Sequence, residues 1–156
     1  MKILKLSVLQ IILLLSAFPA VSRAGNFSNK LSIGIGYPYV GIKYAMTKKI
    51  SAEARGAFEE GIYIYGARGY YNFTKSGKLT PFSGVELDYV VFDYDDIEGN
   101  GFIAYPFIGG EYYVLDNLSL KMDFGSAFIS LQEDEFELKV DGFEWVVNLG
   151  VYYYLR

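Results

Sequence analysis

Glu86 and Asp88 stand two residues apart in V-E-L-D-Y, a spacing that turns both carboxylates to one face if the segment is a strand. Two such groups could act as acid and base in a hydrolysis. Cations fall on matching positions of neighbouring segments, so a structural ion network is the expected role and no catalytic residue is assigned. Residues 93–100, D-Y-D-D-I-E-G-N, gather four carboxylates with a glycine and an amide, oxygen ligands of the kind Ca²⁺ takes. Their spacing does not fit an EF-hand. A solvated acidic loop is expected there and again at residues 132–141, with no metal and no cofactor. The chain has no histidine, which removes the commonest general base and the commonest transition-metal ligand. It has no cysteine either, so an exported chain of this size would be stable without disulfides.

The elements that must position these side chains are strands. Residues 142–156 read G-F-E-W-V-V-N-L-G-V-Y-Y-Y-L-R. Trp145, Val147, Leu149, Val151, Tyr153 and Leu155 share one face, and Glu144, Val146, Asn148, Gly150, Tyr152 and Tyr154 the other, which is the period of two of a β-strand. One face is apolar throughout and the other mixed. That asymmetry suits lipid on one side and a narrow polar space on the other. Seven more alternating segments precede it, at 31–37, 40–46, 50–58, 61–73, 79–92, 101–114 and from 118. The expected fold is all-β, an eight-stranded antiparallel up-and-down transmembrane β-barrel with short periplasmic turns.

The turns set the registers. Pro38-Tyr39 is expected as a two-residue loop that pairs Tyr37 with Val40, and Glu59-Glu60 as a tight turn that pairs Phe58 with Gly61 and sets Gly56 against Tyr63. Pro106 and Gly109-Gly110 suggest an edge-like stretch or a bulge in the sixth strand. Three-residue turns that pair Met46 with Ile50, Lys75 with Leu79 and Val114 with Leu118 place Lys43 opposite Glu53, Arg68 opposite Glu86 and Glu111 opposite Lys121. Three hairpins then each bring opposite charges together on the polar face. Buried charges need partners and solvated ones do not, so these six residues are expected as structural ion pairs in an enclosed lumen.

The chain has 156 residues, room for one domain, and is 52% hydrophobic, too apolar for disorder. Lys2 and Lys5 precede an apolar run, residues 8–18, and Ser22-Arg23-Ala24 offers small residues at the positions a signal peptidase reads. Residues 1–24 are expected as a removed signal peptide and residues 25–156 as a single barrel domain. Its removal leaves 11 basic against 18 acidic residues, a balance that disfavours nucleic acid as a partner. Beyond residue 24 no apolar run reaches the length of a membrane helix, so residence in a membrane requires a closed barrel.

Alternation fits two opposite proteins: a membrane barrel with its apolar face outward, or a soluble periplasmic lipocalin-like barrel that binds a lipid or hydrophobic ligand inside. The polar positions here are largely Gly, Ser and Ala, which suit a crowded lumen better than a water-facing surface. Aromatics of the apolar face gather toward strand ends, with Tyr37, Phe58, Tyr63, Phe102, Phe128 and Trp145 at one rim and Tyr44, Tyr71, Phe73, Tyr112 and Tyr153 at the other, the belts of a barrel at two membrane interfaces.

As a pattern over residues 31–155, the chain resembles the small eight-stranded outer-membrane β-barrel families that include the transmembrane domains of outer membrane protein A and outer membrane protein X. The stretches Y-P-Y-V-G-I-K-Y and Y-G-A-R-G-Y-Y-N-F look like family signatures, and Leu149, Val151, Tyr153 and Leu155 look like the C-terminal signal that the barrel-assembly machinery reads. The chain ends on Arg156 where the family usually ends on an aromatic. The resemblance implies the cell outer membrane of a Gram-negative envelope, with lipid and lipopolysaccharide as surroundings. Barrels of this kind that edit lipid A use histidine with serine or an acid, and this chain has no histidine. A non-enzymatic barrel with a closed polar lumen and a structural or surface-interaction role in the cell envelope is therefore expected. The sequence does not indicate an external partner.

Overall fold

A computed structural model describes residues 29–74, 77–94, 97–133 and 139–155. The expected signal peptide lies outside these residues, as do Lys75, Ser76, Asp95, Asp96 and residues 134–138. The eight strands are β1 (Lys30–Tyr37), β2 (Tyr39–Ala45), β3 (Ile50–Glu59), β4 (Ile62–Asn72), β5 (Leu79–Tyr94), β6 (Ile97–Leu115), β7 (Leu118–Glu133) and β8 (Lys139–Tyr154). Each pairs antiparallel with the next, and β1 pairs with β8 to close the barrel.

Period-two alternation decides which way each strand faces. Ile33, Ile42, Leu87, Phe124 and Val151 lie on the exposed outer wall, while Ser32, Lys43, Glu53, Arg68, Glu86 and Glu111 are buried inside. An inward apolar face, which a lipocalin-like carrier needs, is not the arrangement this chain adopts. The reason lies in the sequence: the face opposite the apolar one is interrupted by charges on nearly every strand, and those are the groups that gain most from one another's company.

The registers stagger the strands. Following the ladder from Ile33 leads through Ile42, Ala54, Ala67, Leu87, Ala104 and Phe128 to Phe143. Phe143 lies beyond Leu149, the last β8 residue that β1 reaches. One wall is therefore taller. β1 and β2 have 8 and 7 residues, whereas β5 and β6 have 16 and 19. The lower end holds residues 29 and 155, the turns at 46–49 and 116–117 and the β4–β5 connection; the upper end holds the β1–β2 and β3–β4 turns, and there residues 139–148 of β8 have no strand on their outer edge.

Two hairpins differ from expectation by two residues, which keeps every side chain on its face. Val40 pairs with Ile35, not Tyr37, because a two-residue loop of Pro-Tyr would need positive φ where proline is fixed near −65°. In the other, Phe58 pairs with Tyr63 and Gly56 with Tyr65, so the turn residues are Glu60 and Gly61. Gly61 takes φ 74°, a conformation that Glu59-Glu60 would have had to force on a side-chain-bearing residue. The β2–β3 turn is as expected, and the Thr47 hydroxyl accepts from the amides of Lys49 and Ile50 at 3.1 and 2.9 Å. The irregularity of β6 is not at Gly109-Gly110 but between Tyr113 and Leu115, and this bulge makes Leu115, not the expected Val114, the partner of Leu118, so the β6–β7 turn is the two residues Asp116 and Asn117. At Pro106, which lacks an N–H, the ladder to β7 skips from Ala104 to Phe107. The described residues of both acidic segments, expected as loops, are strand: Asp93 pairs with Glu98 and Gln132 with Lys139, because the alternation continues past the level where the short wall ends.

Gly61→Ala is expected to lower stability by about 1 to 2 kcal/mol, the strain of a Cβ at positive φ, read from the urea unfolding midpoint. An unchanged midpoint would mean that the turn lies elsewhere.

Candidate functional site

The chemistry of this chain is concentrated in its lumen. In the lower half, Lys43 of β2 meets Glu111 of β6 at 2.6 Å, and Lys121 of β7 meets Glu53 of β3 at 3.1 Å. Lys43 also donates to the Tyr154 hydroxyl at 3.1 Å and Lys121 to the Tyr152 hydroxyl at 3.2 Å. The carboxylates are saturated in turn. Glu111 accepts from Ser119 and Tyr154, each at 2.6 Å. Glu53 accepts from Tyr152 at 2.8 Å and from Tyr70, whose oxygen also accepts from Lys121.

A second cluster sits above. Arg68 forms a bidentate pair with Asp123, at 2.9 and 2.8 Å, and its Nε lies 2.9 Å from Glu86. Asp123 further accepts from Tyr105 and Asn148, each at 3.0 Å. Arg55 approaches the other oxygen of Glu86 at 3.0 Å and stacks on the Tyr39 ring, 3.3 Å from its centroid. Charge-assisted bonds of this kind hold geometry firmly.

Aromatic rings fill the space around these charges. Tyr70, Phe82 and Phe107 meet edge to face, with centroids 5.4 to 6.1 Å apart. Glycines make room for them: a Cβ at Gly109 would come within 2.6 Å of Phe82, and one at Gly84 within 2.7 Å of Phe107. The inward face is not polar throughout, as the sequence had suggested. Toward the upper end it becomes apolar through Ile64, Ile103, Ile129 and Val146, which stay half-exposed above Arg55, Glu86 and Asp88. A cavity of about 160 Å³ lies between the two layers. Wider open troughs, of about 820 and 720 Å³, lie on the outer wall where Ala52, Gly69 and Ala67 are smaller than their neighbours.

All three expected cross-strand registers are present: Lys43 opposite Glu53, Arg68 opposite Glu86 and Glu111 opposite Lys121. Only Arg68 and Glu86 also pair through their side chains. Lys43 and Lys121 exchange carboxylates, each reaching across the lumen instead of along the ladder. In a barrel this narrow, long side chains converge on the axis, so the opposite wall is as near as the next strand. Sequence reasoning missed Asp123, Arg55, Tyr39 and the tyrosine donors as members of the network. Parity places all of them inside, except that Tyr39 was read as a loop residue; what parity cannot supply is the height at which opposite walls meet.

Glu86 is held by two guanidinium groups, Arg55 on one oxygen and Arg68 on the other, with Asp88 two residues away on the same face. Among the described residues no group of three or more acidic side chains is placed to hold a metal ion.

Removal of Lys43 or of Glu111 alone should lower stability by about 3 to 5 kcal/mol, since a buried charge is left unpaired. In double-mutant cycles read by urea unfolding, coupling for Lys43 with Glu111 and for Lys121 with Glu53 should reach about 1 to 3 kcal/mol and exceed that for Lys43 with Glu53. The opposite ranking would make the ladder neighbours the true partners.

No family model matches the sequence, and no curated protein matches it either. What identifies the chain is its architecture, an eight-stranded closed antiparallel β-barrel around a charged interior.

Proposed function

We propose that this chain is a non-enzymatic outer-membrane β-barrel with a structural or surface-interaction role in the cell envelope. The observation that carries the proposal is the outer wall. Every strand turns large apolar side chains outward, among them Ile35, Ile42, Phe58, Tyr65, Leu87, Phe102, Met122 and Trp145. Trp145 is 75% exposed and Tyr37 81%. Monomers in water seldom leave more than a few hundred Å² of contiguous apolar surface uncovered, and a wall of this kind that encircles the molecule needs a hydrocarbon solvent. Outward charges on the described strands are confined to the upper end, at Asp93, Glu98, Lys139 and Asp141. On β8 the apolar band runs from Phe143 to Tyr153, in keeping with the ~9 to 11 residues of a tilted strand that crosses a bilayer.

In this reading, lipid and lipopolysaccharide surround the barrel, and the barrel-assembly machinery inserts it after the signal peptide is removed. The chain ends and the turn with Lys48 and Lys49 face the periplasm, and the tall acidic hairpins face outward. The filled lower lumen favours a closed barrel over a channel, because four buried ion pairs and their tyrosines occupy the axis.

Protein reconstituted in bilayers should show strong quenching of Trp145 fluorescence by lipids brominated in the acyl chain, and no long-lived conductance. On intact cells a cysteine at Glu98 should react with an impermeant maleimide and one at Lys48 should not. A monomer soluble without detergent, with Trp145 untouched by brominated lipid, would overturn the membrane reading; large stable channel openings would overturn the closed lumen.

A further inference from the structure

We propose that the upper lumen is a binding site for a small organic cation, an ammonium group on a short apolar or aromatic body. The charges enclosed by the barrel do not balance. Among the described residues, Lys43, Arg55, Arg68 and Lys121 face Glu53, Glu86, Asp88, Glu111 and Asp123. The two lysines are matched by Glu53 and Glu111, and the two arginines by Glu86 and Asp123. Asp88 is the anion left over.

Its surroundings are those of a vacant acceptor. Asp88 is 9% exposed, and its Oδ1 has no hydrogen-bond partner. Buried polar groups are otherwise partnered in native proteins, and an exception calls for a reason. Space is kept for this oxygen: a Cβ at Gly66, directly across the ladder, would collide with it. Tyr39, whose ring carries the Arg55 guanidinium, and Arg55 itself line the same cavity.

Size and walls define the rest of the ligand. The cavity measures about 160 Å³, close to the ~150 Å³ that accepts a benzene ring in an apolar protein interior. Ile64, Ile103, Ile129 and Val146 line its upper part, so the body of the ligand is apolar and its charged end points down toward Asp88. An anion would meet an uncompensated carboxylate. A neutral molecule would leave that charge as it is. Water could satisfy the oxygen at the polar floor, beside Arg55, Glu86 and Asn148, but would leave the aliphatic upper part of the cavity without a fitting occupant. The inference concerns the interior and does not depend on what surrounds the outer wall.

The test is titration of the purified protein, refolded in a zwitterionic detergent, with benzylammonium, benzyl alcohol and benzoate, followed through the backbone amide resonances of Gly66 and Asp88. Saturable shifts with benzylammonium and none with benzoate are expected, with benzyl alcohol at least about tenfold weaker. Asp88→Asn, which keeps the shape and removes the charge, should weaken benzylammonium by about tenfold or more, the loss of one hydrogen bond to a charged group. Val146→Phe narrows the cavity and leaves its charged floor intact; it should abolish binding, and it serves if the Asp88 variant does not refold. Absence of saturation in the unaltered protein would mean that a proton or water satisfies Asp88, and would overturn the proposal. Equal affinity for benzyl alcohol, undiminished affinity in Asp88→Asn, or full affinity in Val146→Phe would overturn it as well.

Discussion

The interior of an eight-stranded barrel is only wide enough for side chains, and in this protein the side chains that meet there are ions. Each was taken out of water and must find its counter-charge inside. That requirement explains why the buried tyrosines are tyrosines. Tyr70 and Tyr152 donate to Glu53, Tyr154 to Glu111 and Tyr105 to Asp123. A phenylalanine would fill the same volume and leave a carboxylate lone pair empty. Each ring thus supplies both packing volume and a donor at its tip.

The same constraint divides the lumen into two layers. Below, cations and anions match one for one and the rings close around them. Above, the matching fails by one carboxylate, the packing opens, and branched aliphatic residues replace the tyrosines. The change occurs where the short wall ends, since β1 and β2 contribute few residues above Tyr37 and Tyr39 to close the space. Loose packing, uncompensated charge and uneven wall height coincide at one level of the structure.

Much of this was legible in the sequence. Strict alternation revealed the eight strands and the side of nearly every strand residue, and opposite charges on adjacent strands gave the ladders of the β2–β3, β4–β5 and β6–β7 hairpins, though a bulge after Tyr113 shifts the last turn by one residue. Two upper turns were misjudged because local turn chemistry decides them: proline cannot take the positive φ that a two-residue loop at Pro38-Tyr39 would demand, and Gly61 can. The cross-lumen partners were not legible at all. Whether Lys43 turns to Glu53 or to Glu111 depends on the stagger that accumulates around the whole circuit, a property of all eight registers at once. Asp88 shows the same limit, since it was read as a member of the ion network and only the closed barrel reveals that its partners are already taken.

Every strand pairing but one joins neighbours in sequence; the exception is the seam between β1 and β8, the two ends of the described barrel. Hairpins can form locally and early, but the seam must bring Ser32 to Tyr154. The lysine pairs have the same reach, as β2 with β6 and β3 with β7 stand on opposite walls. A sheet that has not yet curled would hold Lys43, Glu53 and Arg68 on an open face, hydrated and without their final partners. Dehydration of the interior and neutralisation of its charges therefore happen in the step that closes the seam. Assembly of this barrel ends in a single cooperative event, and a half-closed form has no interior of its own to stabilise it.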